Sequence, residues 1–390
     1  MTHRPDRRTL LAGLGVAGAM TLARTARAAT CGDTGQLGPT GPTMRELSRQ
    51  ISKGPDHPVG TRTSILSLPS SPTAEHVIDA PGVYFLPSTV TVQPGLSFLE
   101  IRASQVEIQC DGFHIQHPGG VARACVATFT PQNNIVIYDA SFQNWPAPCI
   151  DLRNSSNCLV EESQFANCNG WGLSGTDPGI VILGPRGFIF DCDQYDCLGS
   201  LMTVGQGGAI EEALSVGGSG GCFACPDGGV IENCFALQNQ GLGVYLGPDS
   251  TLTLTRVAGN LGVNAQAHCV IYDCEISGTT GSGISVLGPG CNIEEVYISG
   301  FPIGIDVQPG AGGSLIDGNH IVGATTAISV PASAPRCLVI RNQCGEAAMG
   351  AILYAIASSS SYGTIRDVTG GGDINASALG PVQAYDNFQY

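Results

Sequence analysis

The chain of 390 residues is 43% apolar and only 13% charged, a composition that allows a large core and argues against intrinsic disorder. It contains 54 glycines and a single lysine, Lys53, and its Val, Ile, Thr and Gly content predicts strands and tight turns. The formal net charge of −15 disfavours nucleic acid and anionic membranes as partners.

Residues 1–28 predict an export signal. Arg7-Arg8 precedes a mildly apolar stretch, and Ala26-Arg27-Ala28 has the small residues of a cleavage site. This pattern is typical of the twin-arginine export machinery and predicts a periplasmic or secreted protein; a plain secretory signal and an uncleaved anchor are the alternatives. No later stretch reaches the roughly 18 apolar residues of a membrane span, so we expect no membrane contact after cleavage.

Signal removal makes the chain more acidic. The mature chain carries 12 basic and 31 acidic side chains, a net charge of −19. Such a surface repels acidic polysaccharides unless a bound cation bridges the two.

Residues 29–80 are interpreted as an N-terminal cap segment. Thr43-Met44-Arg45-Glu46 has the spacing of a capping box, and Met44, Leu47 and Ile51 fall on one helical face. We expect a short capping helix over the first coil, because the end of a solenoid exposes unpaired strands.

A repeat occupies residues 81–357. Val270–Val286 nearly repeats Val230–Leu246, and further copies begin near Ile135, Cys158, Cys291, Ser314 and Cys337. Equivalent positions Val270, Asn292, Leu315 and Leu338 are spaced by 22, 23 and 23 residues. Short alternating strands joined by turns at one period predict an all-β parallel β-helix solenoid, in which each coil lies about 4.8 Å above the last. Residues 358–390 lack the repeat and are interpreted as a C-terminal capping tail.

The chain resembles bacterial exported right-handed parallel β-helix repeat proteins of the pectin-lyase-like superfamily. The resemblance lies in the segments around Pro42–Leu47, Ala80–Leu86 and Val106–Ile115 and in the repeat itself. It implies a right-handed coil and a polysaccharide or other glycan as partner, acted on by a lyase or a glycoside hydrolase. The superfamily also contains non-catalytic proteins, and the hydrolase strings Asp-Asp, Gly-His-Gly and Arg-Ile-Lys are absent here.

Stacked carboxylates are the first candidate for chemistry. Asp139, Glu162 and Asp191 share one position on successive coils. Carboxylates about 4.8 Å apart are solvated, share a proton or hold a cation, so Asp139 and Glu162 are candidate calcium ligands. The alternative is a ladder of ordinary turn residues, since Asn233 occupies the same position.

The segment from Asp191 to Gly229 is the second candidate. Its glycine-rich part, residues 205–229, predicts an excursion from the regular coils that forms the wall of a binding groove. Five carboxylates there are candidates for a general acid and base, the alternative being a solvated acidic loop: Asp191, Asp193, Asp196, Glu211 and Glu212.

The remaining candidates are aromatic, cationic and sulfur side chains. Trp145 and Trp171 are either sugar platforms or core residues. Arg153 is a candidate substrate-binding residue or, as in lyases of this superfamily, a base. Cys222 with Cys225, and Cys269 with Cys291, are candidate disulfides, with packed free thiols as the alternative. An enzyme and a non-catalytic glycan-binding or structural module both remain open.

Overall fold

Three long parallel sheets, called A, C and B in the order in which the chain visits them, make up the fold. The structure is a computed structural model that describes residues 62–120, 122–169, 179–199, 202–345, 353–363, 365–367 and 386–389. Within these residues the strands pair in parallel with the equivalent strands of the next coil, except at the C-terminal end of sheet C. The chain is therefore an all-β, right-handed parallel β-helix, as the sequence predicts.

Sheet A has 14 strands in spatial order. They are β1 (Thr63–Ser64), β3 (Gly82–Phe85), β6 (Val106–Gln109), β9 (Ile135–Tyr138), β12 (Leu159–Glu161), β15 (Phe188–Phe190), β18 (Ala209–Glu211), β21 (Val230–Glu232), β24 (Thr251–Thr253), β27 (Val270–Tyr272), β30 (Asn292–Glu294), β33 (Leu315–Asp317), β36 (Leu338–Ile340) and β39 (Ser361–Tyr362).

Sheet C also has 14 strands. They are β4 (Val90–Thr91), β7 (His114–Gln116), β10 (Ser141–Gln143), β13 (Gln164–Ala166), β16 (Asp193–Tyr195), β19 (Leu214–Val216), β22 (Phe235–Asn239), β25 (Arg256–Gly259), β28 (Glu275–Gly278), β31 (Tyr297–Ser299), β34 (His320–Val322), β37 (Gln343–Gly345), β41 (Asn387–Gln389) and β40 (Ile365–Asp367).

Sheet B has 13 strands. They are β2 (Ala74–Ile78), β5 (Ser97–Ile101), β8 (Val126–Ala127), β11 (Ile150–Leu152), β14 (Val181–Leu183), β17 (Met202–Thr203), β20 (Phe223–Cys225), β23 (Val244–Leu246), β26 (Val263–Ala265), β29 (Ser282–Val286), β32 (Ile303–Val307), β35 (Thr326–Val330) and β38 (Tyr354–Ile356).

The core consists of side chains stacked from coil to coil. The middle residue of each sheet A strand points inward, and the stack runs Ile137, Val160, Ile189, Ile210, Ile231, Leu252, Ile271, Ile293, Ile316 and Val339. In sheet C, Phe142 and Phe165 stack with ring centroids 5.2 Å apart. Each such buried side chain contributes about 1.5–3 kcal/mol relative to exposure.

The turn from sheet A to sheet C takes two residues on most coils. The first has a positive φ and points outward, as at Asp139 (50°), Glu162 (52°) and Asn233 (52°). The second is buried, as at Cys234 and Asn319. This left-handed conformation favours Gly, Asn and Asp, although Leu254 and Arg341 occupy the same position on later coils.

The glycine-rich segment corrects one prediction. We expected an excursion over residues 205–229, but β17 to β21 are regular strands of all three sheets. Ile189, Ile210 and Ile231 pair in register, each 21 residues from the next. The glycines lie in the turns, where a side chain would collide with the preceding coil; a Cβ on Gly205 would lie 2.5 Å from the backbone of Gly184.

The two ends of the solenoid differ. At the start, β1 and β2 already belong to sheets A and B, so the first strands precede residue 81. The predicted capping helix around Thr43–Ile51 lies outside the described residues, which contain one 3-10 turn, Ile65–Ser67, and no α-helix. At the other end, β41 pairs with both β37 and β40 in sheet C. No helix among the described residues has the length and hydrophobicity to cross a membrane.

Candidate functional site

Four carboxylates form one ladder at the turn between sheets A and C. Asp139, Glu162, Asp191 and Glu212 follow β9, β12, β15 and β18, which pair in register, and all four have a φ near +50°. We call these four residues the acidic corner. The predicted register is confirmed, and it also joins the candidate calcium ligands to two of the candidate catalytic residues. Asn233 continues the ladder on the next coil, as turn chemistry allows.

A second row of side chains lies on the outer face of sheet A beside the acidic corner. Glu161, Phe190 and Glu211 are the last residues of β12, β15 and β18 and pair with one another in register. All three are half-buried, and the ring of Phe190 stacks on that of Phe188 with centroids 6.1 Å apart. An aromatic ring therefore lies between two carboxylates whose Cα atoms are two strand spacings, about 9.6 Å, apart.

The electrostatics of this row favour the protonated form of Glu161. Burial raises the pKa of Glu161, and the negative charges of Glu162 and Asp191 raise it further. A carboxyl group with a raised pKa retains its proton to higher pH and is suited to act as an acid. Glu161 was not among the sequence candidates, because only the structure shows how its strand and the acidic corner surround it.

The other two acidic candidates lie elsewhere. Asp193 is on the outer face of sheet C, where Tyr195 Oη donates to its Oδ2 at 3.2 Å. Asp196 is at the far end of the same strand, at the turn toward sheet B, where the Cβ of a side chain on Gly217 would lie 2.3 Å from its Oδ1. The five predicted catalytic carboxylates are thus spread over two turns and two sheets, and Asp191, Glu211 and Glu212 alone lie together.

The predicted substrate-binding residues do not join this site. Trp145 is fully buried, and its Nε1 donates to the carbonyl of Arg123 at 2.9 Å. It is therefore a core residue, and the sugar-platform prediction is wrong for it. Arg153 lies beside sheet B, where its Nε donates to Asp151 Oδ1 at 2.9 Å. Trp171 lies outside the described residues.

The described cysteines are all buried thiols, including the four disulfide candidates. Cys222 and Cys225 have different neighbours: the thiol of Cys222 interacts with Ser215, and that of Cys225 lies near Cys234. Cys269 is hydrogen-bonded to the thiol of Cys291 on the next coil, which raises the pKa of Cys269. The structure therefore contains packed thiols at both places, the alternative that the sequence left open.

The described residues contain no cluster of three or more His, Cys, Asp or Glu side chains arranged to hold a metal ion. Asp139 and Glu162 are corner residues of the ladder, and their assignment as calcium ligands stays a prediction.

No protein-family model and no curated protein sequence matches this chain. Among solved structures it is similar to a Dettilon tailspike protein, at 13% identity and a TM-score of 0.46, over 81% of this chain and 65% of the tailspike. It is also similar to PfbA, a surface adhesin of Streptococcus pneumoniae, at 10% identity and a TM-score of 0.45, over 70% of this chain and 82% of PfbA. A third similar structure is the catalytic domain of a GH87 alpha-1,3-glucanase, at 10% identity and a TM-score of 0.41, over 73% of this chain and 61% of that domain. Scores below 0.5 carry no inference about activity.

Proposed function

We propose that this protein is an exported glycoside hydrolase that cleaves a neutral polysaccharide on the outer face of sheet A. Glu161 is the general acid, Glu211 the general base, and Phe190 the platform for a sugar ring. The observation that carries the proposal is the row itself, in which an aromatic ring separates a carboxyl group of raised pKa from a second carboxylate.

The spacing suggests the stereochemical course. In inverting glycosidases the two carboxyl groups lie about 6.5–9.5 Å apart, which leaves room for the attacking water. Glu161 and Glu211 stand on strands two spacings apart, about 9.6 Å between Cα atoms, and their side chains are long enough to bring the carboxyl groups into that range. The proposal takes the inverting course: Glu161 protonates the leaving oxygen, and Glu211 takes a proton from the water that attacks the anomeric carbon. The first-formed anomer decides between inversion and retention.

The charge of the surface limits the classes of polysaccharide that can be the substrate. The acidic corner lies directly beside the row, and the mature chain has a net charge of −19. Without a bridging cation, a uronate chain would be repelled from such a surface, which favours a neutral glycan over pectate or alginate as the substrate. Neutral glycans are not repelled by the acidic surface.

The test is a screen of the purified protein on neutral and acidic polysaccharides, with reducing ends measured and the first-formed anomer followed by NMR. Glu161→Gln and Glu211→Gln are each expected to lower kcat about 10²–10⁴-fold. Phe190→Ala is expected to raise KM, because it removes stacking rather than a proton donor. Glu294→Gln is the matched control, since Glu294 occupies the same row four strands further along sheet A.

The pH profile gives a second readout. Wild-type activity is expected to fall on the alkaline side as Glu161 loses its proton, and Glu161→Gln should abolish that limb. Full activity in both Gln variants, or cleavage of acidic glycans alone, would contradict the proposal.

A non-catalytic glycan-binding role is the second candidate. The outer face of sheet B carries a row of half-buried polar residues in register, which runs Tyr245, Asn264, Ser285, Asp306 and Ser329. Such a row offers one aromatic ring and a line of hydrogen-bonding groups about 4.8 Å apart. Retention on a neutral glycan column that Tyr245→Ala reduces and Glu161→Gln does not, with no product released, would favour this role.

A further inference from the structure

Two thiols meet where the chain turns from sheet B into sheet A. Cys269 and Cys291 are the residues before β27 and β30, and the strands that follow them pair in register, Val270 with Asn292. The amide N–H of Asn292 donates to the carbonyl of Cys269 at 2.8 Å, so the parallel ladder includes the two cysteines. Their Cα atoms are therefore one strand spacing, about 4.8 Å, apart, within the range of about 4.4–6.8 Å found in disulfides.

The position before each strand of sheet A forms a column in which cysteine and serine alternate on later coils. The column runs Cys269, Cys291, Ser314, Cys337 and Ser360. Each serine accepts from the amide N–H of the preceding cysteine, Ser314 from Cys291 and Ser360 from Cys337, both at 3.2 Å. Among the described residues of this column, two thiols are adjacent at Cys269 and Cys291 alone. Cys337 is two strand spacings, about 9.6 Å, from Cys291, which is too far for a disulfide.

The hydrogen bond between the two thiols makes them chemically unequal. It lowers the pKa of Cys291, and backbone hydrogen bonds from Cys269 and His268 lower it further, although burial opposes them. The same hydrogen bond, together with burial, raises the pKa of Cys269. Because the thiolate is the nucleophilic form of cysteine, Cys291 is the sulfur disposed to attack and Cys269 the one that retains its proton.

Two other pairs of cysteines share the cross-coil geometry but not this inequality. Cys125 and Cys149 precede the paired strands β8 and β11, and Cys168 and Cys197 each follow the paired strands β13 and β16 by two residues. Burial raises the pKa of Cys125 and raises that of Cys149 to about 11. A hydrogen bond to Cys149 raises the pKa of Cys168, and one to Cys168 raises that of Cys197. Neither pair therefore supplies a thiolate.

We propose that Cys269 and Cys291 are a peroxide-sensitive pair that forms a disulfide between two coils of the folded protein. The thiolate of Cys291 attacks one oxygen of hydrogen peroxide and breaks the O–O bond, which gives a sulfenic acid and one water. The sulfur of Cys269 then attacks Cys291 Sγ, so that the S–S bond forms and the sulfenic oxygen leaves as a second water. Two thiols and one peroxide thus become one disulfide and two waters. The pair lies three strand spacings from Glu211, and its oxidation does not depend on the proposed hydrolase activity.

The oxidant must be small because the pair is covered. Cys269 and Cys291 are 0% and 1% exposed, and in its protonated form Cys291 donates to the carbonyl of Gln266 at 2.8 Å. The cover is thin, since the sequence neighbours His268 and Gly290 are exposed. Such a cover excludes an oxidant protein and large alkylating reagents, whereas hydrogen peroxide is close to water in size.

Peroxide treatment of the folded full-length chain, followed by unfolding in urea with iodoacetamide and mass spectrometry, tests the pairing. Cleavage before aspartate and after glutamate places Cys269 and Cys291 in separate peptides, residues 249–272 and 276–294. The wild-type chain is expected to lose two hydrogens and to link these peptides, and a thiol reductant should separate them. Cys337→Ser removes a thiol from the same column and is the matched control, in which the link should persist.

Single variants test the order of the two steps. Cys269→Ser should leave a sulfenic acid on Cys291 that dimedone traps, whereas Cys291→Ser should leave Cys269 as an unmodified thiol. Both variants are expected to fold, because serine fills the same column at Ser314 and Ser360, and far-ultraviolet circular dichroism checks this. Equal trapping in the two variants would contradict the assigned roles.

Hydrogen exchange gives a readout of the staple itself. The disulfide closes a loop of the 21 residues 270–290, which is one coil. Exchange in β27 and β30 is therefore expected to slow several-fold after oxidation, with β9 and β12 unchanged as internal references. Three outcomes would overturn the proposal: oxidation that begins only after urea unfolds the chain, a first disulfide at either of the other two cross-coil pairs, or a wild-type chain in which Cys291 proceeds to sulfinic acid without linking to Cys269.

Discussion

Asn342→Ala is the most direct test of what holds the corner between sheets A and C together. Asn342 is fully buried at the second position of the turn. Its Oδ1 accepts from the backbone N–H and from Nδ2 of Asn319 on the preceding coil, both at 3.0 Å. Its Nδ2 donates to the carbonyls of Ile316 at 3.0 Å and Ile340 at 2.9 Å. Asn387 repeats the pattern on the following coil.

The size of the effect follows from the groups that the substitution leaves without partners. Alanine removes the acceptor of the buried Asn319 N–H and one donor to the Ile316 carbonyl. Each buried polar group left unsatisfied costs about 1–3 kcal/mol. We therefore expect the free energy of local unfolding to fall by about 2–6 kcal/mol.

Hydrogen exchange read by mass spectrometry is the appropriate assay, because coils of a solenoid open locally and from the ends. Peptides that contain β33 to β37 should lose protection in Asn342→Ala, while peptides around β9 to β13 serve as the internal reference. Asn292→Ala is the control: Asn292 lies on the outer face, where its amide donates to Glu294 Oε1 at 2.6 Å. Its expected effect is within about 0.5 kcal/mol. Equal losses in the two variants would refute the assignment of the corner asparagines as structural hydrogen-bonding residues.

Three further predictions concern stability and the thiols. Because burial and its acidic neighbours raise the pKa of Glu161, the folded state holds that proton more tightly than the unfolded state, and stability falls as pH rises through the raised pKa. Glu161→Gln should therefore raise the midpoint of urea unfolding at pH 7, with the difference vanishing at acid pH; a difference independent of pH would contradict this. Leu254 has a φ of +51° at the corner, so Leu254→Asn should stabilise the fold by about 1 kcal/mol in urea, whereas Val270→Asn, on a strand, should not. The buried thiols, among them Cys192, whose pKa burial raises, should resist iodoacetamide until urea unfolds the coils, and labelling in the native state would show that the core opens.

The coil register could be predicted from the sequence because each coil repeats the same inward position. Ile271, Ile293 and Ile316 are apolar for one reason, which is that each contacts its equivalent on the coils above and below. A repeated apolar position indicates this coil-to-coil contact directly. The spacing of 22 to 23 residues between equivalent positions is therefore enough to identify the stacks. The same reasoning placed Asp139 and Glu162 on one corner.

The regular coils around Gly205 and Gly229 could not be predicted in this way. A glycine-rich sequence is typical of a loop, but here glycines are required where one turn lies against the next. A Cβ at Gly229 would lie 3.0 Å from the carbonyl oxygen of Gly208 on the preceding coil. Composition cannot separate a glycine that frees the backbone from one that makes room for a neighbouring coil.

The burial of Trp145 could not be predicted from the sequence for a related reason. Its indole N–H finds an acceptor in the carbonyl of Arg123, one coil earlier, so a large polar-tipped ring is satisfied inside the core. That acceptor is 22 residues away in the sequence, and no local pattern marks it.

The difference between positions set by backbone geometry and positions that are not also applies to the candidate catalytic carboxylates. Asp191 and Glu212 occupy a left-handed corner position that Asp and Asn favour and that Leu254 and Arg341 also fill on other coils, so their stacking needs no function to explain it. Glu161 and Glu211 lie on strands, where glutamate is disfavoured and turn geometry makes no demand. The same row also holds Glu232, Glu294 and Asp317, so a carboxylate at this register does not by itself indicate a function. Glu161 and Glu211 differ from these in having Phe190 between them, and the proposed glycan cleavage rests on that ring.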